Sequence, residues 1–219
     1  MSSLILRSLN AVAMCIAMGA SAAFAQVPAN APAFVETMAT KALLNELQSG
    51  GFVLYMRHGN TDNSKADGFP KIDLNDCSTQ RPLSDQGREV VGRVGKYFRQ
   101  AKIPVSEVIH SPLCRARESA QLAFAYLSDK LRPEPNLMYP GNLTSEEKKP
   151  IIEMTRELVS TPVAPGTNRV LVAHAPNLAD LMGYFVKLEA TVVVLRPLGE
   201  GRFEYIASIH PSLWPELMK

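Results

Sequence analysis

The chain has 219 residues, 46% of them hydrophobic, with 23 basic and 21 acidic side chains and a formal net charge of +2. That balance, without a long run of one sign, argues against a nucleic-acid surface or a charged tail, and the length can bury a core without staples. No Cys-x-x-Cys pair and no close His/Cys cluster occurs, so a zinc site is not expected.

Residues 1–25 read as a secretory signal peptide. Met1 to Asn10 carry one charge, Arg7, and Ala11 to Ala20 are apolar or small. Ala23-Phe24-Ala25 then offers small residues at the cleavage positions. The apolar stretch is shorter than the ~20 residues a spanning helix needs, so no stable membrane anchor is expected. Cleavage near Ala25 would leave a periplasmic or secreted chain of about 194 residues, the 219 less 25, as one domain. Residues 26–50 read as a Pro/Ala-rich leader and an N-terminal helix, with helical spacing from Phe34 to Leu47 and a stop at Gly50-Gly51. The domain proper is expected over 51–219.

Phe52 to Met56 is an unbroken apolar run, as in a strand covered on both faces. Asn60 to Pro82 is a long polar loop, a kind of segment that is usually functional. Ser84 caps a helix with the stripe Val90, Val91, Val94 and Phe98, weakened by Gly92 and Gly95 at about 1 kcal/mol each. Val105 to Ile109 is a second strand. A helix carrying Ala116, Ala120, Ala123, Phe124 and Leu127 follows. Arg132 to Pro140 is broken by prolines. Another helix starts near Glu146 or Pro150 and runs to Val159. Arg169 to Ala173 is a third strand, and Asn177 can cap the helix after it. Thr191 to Leu195 and Phe203 to Ile209 flank Gly199-Glu200-Gly201 as a hairpin. Strands alternating with helices predict an α/β three-layer sandwich: a largely parallel central sheet, helices on both faces and a C-terminal hairpin.

Three segments share one layout, an apolar strand followed by a polar cluster. Met56 leads to Arg57-His58-Gly59, Ile109 to Ser111-Pro112-Leu113-Cys114-Arg115, and Ala173 to His174-Ala175-Pro176-Asn177. Ligands of open α/β sheets bind beyond the carboxyl ends of the strands. Arg57, His58, Arg115 and His174 are therefore expected to meet at one edge. Guanidinium forks suit a phosphoryl group, a neutral imidazole nitrogen can attack phosphorus, and a second imidazole can hold an equatorial oxygen. Taken singly, each of these residues reads as a surface, capping or strand-end side chain, and His110 and His210 are left in that class. Asn60 and Arg81 are candidate substrate contacts. Cys77 and Cys114, the cysteines left after cleavage, permit one disulfide in an exported protein.

The joint pattern resembles the histidine phosphatase superfamily, which includes phosphoglycerate mutase-like enzymes. The resemblance covers roughly Gly51 to Pro211. It is carried by Leu54-Tyr55-Met56-Arg57-His58-Gly59, by Arg81-Pro82-Leu83-Ser84-Asp85-Gln86-Gly87, by Ser111-Pro112-Leu113-Cys114-Arg115-Ala116 and by Val170-Leu171-Val172-Ala173-His174. It implies an exported member of the small branch, similar to lipopolysaccharide heptose-phosphate phosphatases. It also implies phosphatase activity with His58 as the phosphate-accepting nucleophile and Arg57, Arg115 and His174 around the phosphoryl group, without a metal or other cofactor. The implied substrate is a phosphorylated small molecule, glycan or protein outside the cytoplasm. The alternative is a module on the same fold that binds phosphate or a phosphoglycan without turning it over.

The chain departs from the pattern in three places. Asn60 replaces an acid or glutamine, and Ala175 replaces the aspartate of the acid-phosphatase branch. The window Pro140 to Ser145, where the small branch has its glutamate, holds no acid. Glu146 and Glu147 lie just past it, and Asp62, Asp67, Asp73 and Asp76 lie in the long loop. The proton donor is unassigned among them. A missing acid favours good leaving groups such as phosphohistidine or acyl phosphate.

Overall fold

A computed structural model describes residues 33–68 and 72–219. The signal-peptide and leader segments before residue 33 lie outside the described residues. Six strands form one sheet in the order β3-β2-β4-β1-β5-β6. They are β1 (Val53–Arg57), β2 (Val105–His110), β3 (Leu131–Pro133), β4 (Asn168–Ala173), β5 (Val192–Gly199) and β6 (Arg202–Ile209). The pairings β3–β2, β2–β4 and β4–β1 are parallel, whereas β5 and β6 add antiparallel on the far side of β1. The expected hairpin is present, and Gly199, Glu200 and Gly201 all take positive φ in its turn.

The unbroken apolar runs are explained by burial on both faces. Leu54 and Met56 of β1, Val170 and Val172 of β4, and Val192 and Val194 of β5 point into one core. That core is closed by α1 (Lys41–Ser49), α2 (Asp85–Gln100), α3 (Cys114–Ala123) and the short α6 (Trp214–Leu217). Val53, Tyr55, Leu171, Ala173, Val193 and Leu195 point into the other, under α4 (Ser145–Ser160) and α5 (Ala175–Met182). The three-layer sandwich is thus the observed architecture.

Four local expectations are corrected. The N-terminal helix begins only at Lys41, capped by Thr40. Phe34 to Thr40 instead runs beside β6, where Ser208 N–H donates to the Thr37 carbonyl (2.8 Å) and Ala39 N–H to the Ser208 carbonyl (3.0 Å). The open edge of β6 offers that segment backbone partners which outweigh its helical spacing. The second helix-start correction is at Asn177, which sits inside α5; His174 occupies the cap, and the Asn177 amide donates to the Met138 carbonyl at 3.2 Å. Helix α3 ends at Ala123, and Ala125–Lys130 continues as a 3-10 turn. Leu131–Pro133 is a short edge strand inside the proline-broken region, consistent with the tolerance of proline at sheet edges.

Gly95, a propensity defect in α2, has a packing role. A Cβ placed there would lie 2.1 Å from the Ala123 carbonyl oxygen, so its absence lets α2 touch the end of α3. Gly87 does the same against the Asn60 carbonyl, again at 2.1 Å, which seats the start of α2 beside the loop after β1.

Candidate active site

Parallel register places the ends of β1, β2 and β4 side by side: Arg57 pairs with Ala173 and His110 with Val172. The next residues, His58, Ser111 and His174, therefore leave the sheet at one edge. Backbone bonds tie them together there, since His58 N–H donates to the Ala173 carbonyl (3.0 Å) and Ser111 N–H to the Val172 carbonyl (2.9 Å). Arg115 arrives on the first turn of α3. The Tyr55 hydroxyl, under the sheet edge, donates to the His174 carbonyl (2.7 Å) and accepts from its N–H (3.1 Å). The four sequence-predicted residues are thereby brought together. The imidazoles of His58 and His174 lie 5.2 Å apart, centroid to centroid, and His58, Arg115 and His174 are all buried.

His58 Nδ1 donates to the Gly59 carbonyl at 2.8 Å, which leaves Nε2 as the free lone pair. His58 lines an open cleft of about 230 Å³ together with Arg57, Arg81, Tyr139, Phe185 and Glu189. Burial, with the charge of Arg115 behind it, pushes the His58 pKa down to about 3, so the ring is neutral at ordinary pH. His174 is held well below the usual histidine value, again by burial first and then by Arg115. A buried neutral imidazole with its Nε2 unprotonated is a nucleophile that needs no base to activate it.

Each arginine is held on one side and free on another. Arg57 donates through Nη1 to the carbonyls of Val186 (2.7 Å) and Lys187 (2.6 Å), and through Nη2 to Glu189 (2.7 Å). Arg115 donates through Nη1 to Asp67 at 2.9 Å. Buried without a partner among the described residues are Nε of Arg57, Nε of Arg81, Nε and Nη2 of Arg115, and Nδ1 of His174. Orphaned buried donors are costly, and such a cluster calls for an anion that would satisfy them together. Arg81 has no ion-pair partner among the described residues, while Arg57 and Arg115 are each balanced by a carboxylate. Asn60 turns its amide to Glu189 (3.3 Å), so it braces the Arg57 partner.

Cys77 and Cys114 are joined in a disulfide. It ties the long loop to the residue before Arg115. Gln80 reinforces the tie, accepting from Cys114 N–H at 2.7 Å.

The candidate acids separate. Glu147 closes a capping box with Thr144, and Glu146 pairs with Lys149. Asp62, Asp73 and Asp76 accept hydrogen bonds within their own turns. Only Asp67 of the sequence candidates touches a site arginine. Its Oδ1 also accepts from Arg81 N–H at 2.9 Å. His110 donates to the Ser111 carbonyl, and His210 pairs with Glu36, both away from the cleft.

Sequence reading missed Glu189 and did not single out Tyr139, although it expects the pocket wall to come from Asn60 to Pro82 and the segment around Met138 to Glu147. The Tyr139 ring stands edge-on to His174 at 5.6 Å and lies 5.5 Å from the Arg115 guanidinium. Glu189 carried a usable signal: it precedes a strand that runs antiparallel to β1, so the start of that strand lies at the carboxyl end of β1. Tyr139 lies in the proline-broken segment, where no periodicity marks a side chain's direction.

A family model, the histidine phosphatase superfamily (branch 1), matches residues 53–158. Among solved structures, the protein histidine phosphatase SixA complexed with tungstate is similar, with 16% identity and a TM-score of 0.51, covering 74% of this chain and 97% of that one. A mycobacterial glucosyl-3-phosphoglycerate phosphatase complexed with VO3 is also similar, at 17% identity and a TM-score of 0.51, covering 72% and 98%. No curated protein matches the chain in sequence.

Proposed function

We propose that this chain, a member of the histidine phosphatase superfamily and a phosphoric monoester hydrolase, works outside the cytoplasm through a phosphohistidine at His58. The observation that carries the mechanism is the set of buried donors on Arg57, Arg81 and Arg115 that find no partner among the described residues, beside a neutral imidazole. A phosphoryl group seated there satisfies those donors. The His58 Nε2 lone pair forms the N–P bond as the P–O bond to the leaving group breaks, and the leaving oxygen takes a proton from water. The hydroxide left behind then adds to phosphorus, the N–P bond breaks, its electron pair returns to Nε2 and hydrogen phosphate departs. The donors hold the equatorial oxygens through both steps.

Both carboxylates at the site are occupied as acceptors: Asp67 by Arg115 and the Arg81 amide, Glu189 by Arg57 and Asn60. Each is thereby committed to holding an arginine. This favours a leaving group more acidic than an ordinary alcohol: the protonated imidazole of a phosphorylated histidine, the carboxyl group of an acyl phosphate or the anomeric hydroxyl of an envelope sugar phosphate. SixA is a protein histidine phosphatase and the mycobacterial neighbour a glucosyl-3-phosphoglycerate phosphatase, so a protein and a glucosylated substrate both occur on this fold. We favour the sugar phosphate. The cleft walls Tyr139 and Phe185 suit the apolar face of a ring, and Thr61 and Asn63 its hydroxyls. Location outside the cytoplasm is supported by the leader sequence and by the disulfide, which persists in oxidising compartments.

The same engaged carboxylates favour one other reading, a binding module that holds phosphate without turnover. Substitution His58→Ala tested on an aryl phosphate, with acid quench of the wild type after a labelled phosphate donor, separates the two. A labelled acid-labile protein and loss of turnover in the variant are expected. Persistent turnover in the variant would refute the nucleophile assignment, and reversible binding alone would favour the module.

A further inference from the structure

We propose that Ser111 is a positioning residue: its hydroxyl proton, given to Nε2 of His174, holds that imidazole as the tautomer whose Nδ1–H faces the phosphoryl oxygens.

The inference deepens the phosphatase reading and rests on it for the role of His174. The geometry is local and complete. Ser111 and His174 are both fully buried, with Ser111 Oγ 2.9 Å from His174 Nε2. The same oxygen accepts from Leu113 N–H at 3.3 Å. A serine hydroxyl has one proton to give and lone pairs to receive. Were Nε2 protonated, Oγ would accept from two N–H groups, and its own proton would face no acceptor among the described residues. Nδ1 would then present a lone pair to an incoming anion. With the Ser111 proton on the Nε2 side, every group on that chain is satisfied except Nδ1–H. That atom is buried with no partner among the described residues, on a ring packed against His58 and Tyr139, which line the cleft.

The groups facing this ring agree with a neutral imidazole. Burial weighs most against a charge on the ring, then the charge of Arg115 and, less, those of Arg57 and Arg81, and the Tyr139 ring meets it edge-on. All the charges in that set are positive, so a second proton on the ring is disfavoured. A neutral ring has to choose a tautomer, and Ser111 makes the choice. Histidines that must present one particular nitrogen are commonly held through the other, at a cost of 10–100-fold when the holding partner is lost.

Ser111 also sits where the sequence can place it reliably. It follows the last residue of β2, its N–H is tied to β4, and the Leu113 N–H that it accepts starts α3. One residue thus couples the strand that delivers it, the helix that carries Arg115 and the ring of His174.

The test needs no ligand. In protein with nitrogen-15-labelled histidine, the ring-nitrogen shifts of His174 at neutral pH are expected to show Nδ1 protonated and Nε2 bare. In Ser111→Ala the single tautomer is expected to give way to a mixture, with kcat on an aryl phosphate falling about 10-fold and KM changing less. Ser111→Thr keeps a hydroxyl and is expected to restore both readings. A wild-type His174 protonated on Nε2 would overturn the proposal, as would a Ser111→Ala protein with the tautomer unchanged. A wild type with the Nδ1–H tautomer but no phosphatase activity would uphold the tautomer assignment while removing the reading on which its role depends.

Discussion

His58 and His174 are imidazoles folded into a cationic, dry corner, and that placement has a thermodynamic consequence. In the unfolded chain each takes up a proton near its ordinary value of about 6.5. In the folded protein His58 does so only near about 3, and His174 is also held well down. Between those limits the unfolded chain binds protons that the folded one refuses, so stability falls as pH drops from about 6.5 toward 3. The slope is at most about 1.4 kcal/mol per pH unit for each ring. Urea denaturation of His58→Gln is expected to show a loss between pH 7 and pH 4.5 roughly 2 kcal/mol smaller than wild type. Equal losses in the two proteins would mean that His58 is not held neutral. Glu189 belongs to the same scale. It grips Arg57 while the Arg57 Nε stays free. Glu189→Gln is expected to lower kcat/KM about 10-fold by loosening that guanidinium, equally for aryl phosphates of good and poor leaving groups. A loss confined to poor leaving groups would instead identify Glu189 as the proton donor.

The loop from Asn60 to Pro82 is the element on which the site depends most. It supplies Asp67 to Arg115 and Arg81 to the cleft, and it is anchored beside Arg115 through Cys77–Cys114. Closing a loop across 37 residues of sequence stabilises the fold by about 4 kcal/mol on the chain-entropy account. Reduction, or the paired change Cys77→Ser and Cys114→Ser, is expected to lower the unfolding midpoint. It is also expected to raise KM more than it lowers kcat and to speed amide exchange over the loop. Unchanged KM with lowered stability would show that the loop holds its place without the bridge. Helix α2 shows a different kind of dependence. Propensity alone would welcome alanine at Gly95 by about 1 kcal/mol, but a backbone oxygen of α3 stands where its methyl would go, and overpacking of that kind costs about 1–3 kcal/mol.

Across the whole molecule, both cores and the sheet between them serve to hold one edge in register. Donors at that edge find no partner among the described residues, and an anion that binds there stabilises the fold by mass action. Inorganic phosphate at 100 times its dissociation constant is expected to add about 2.7 kcal/mol, read as a higher Tm in thermal unfolding. The gain should be nearly absent in Arg115→Ala. An equal gain there would place the bound anion elsewhere. Among the described residues no helix is long and apolar enough to cross a membrane.

The sheet and its edge were legible in the amino-acid order because their signals are local. Unbroken apolar runs mark strands buried on both faces, and a polar cluster after each run marks what leaves the sheet. Those rules predicted β1, β2, β4, the hairpin and the meeting of Arg57, His58, Arg115 and His174. The partners of those residues depended on contacts distant in sequence. Glu189 reaches Arg57 across 132 positions, Asp67 reaches Arg115 across 48, and Phe34 to Thr40 gave up helical spacing for the free edge of β6. Backbone periodicity and strand ends are set by neighbours along the chain; which carboxylate holds which guanidinium, and which proton faces the cleft, is set only when the folded chain brings remote groups within hydrogen-bond reach.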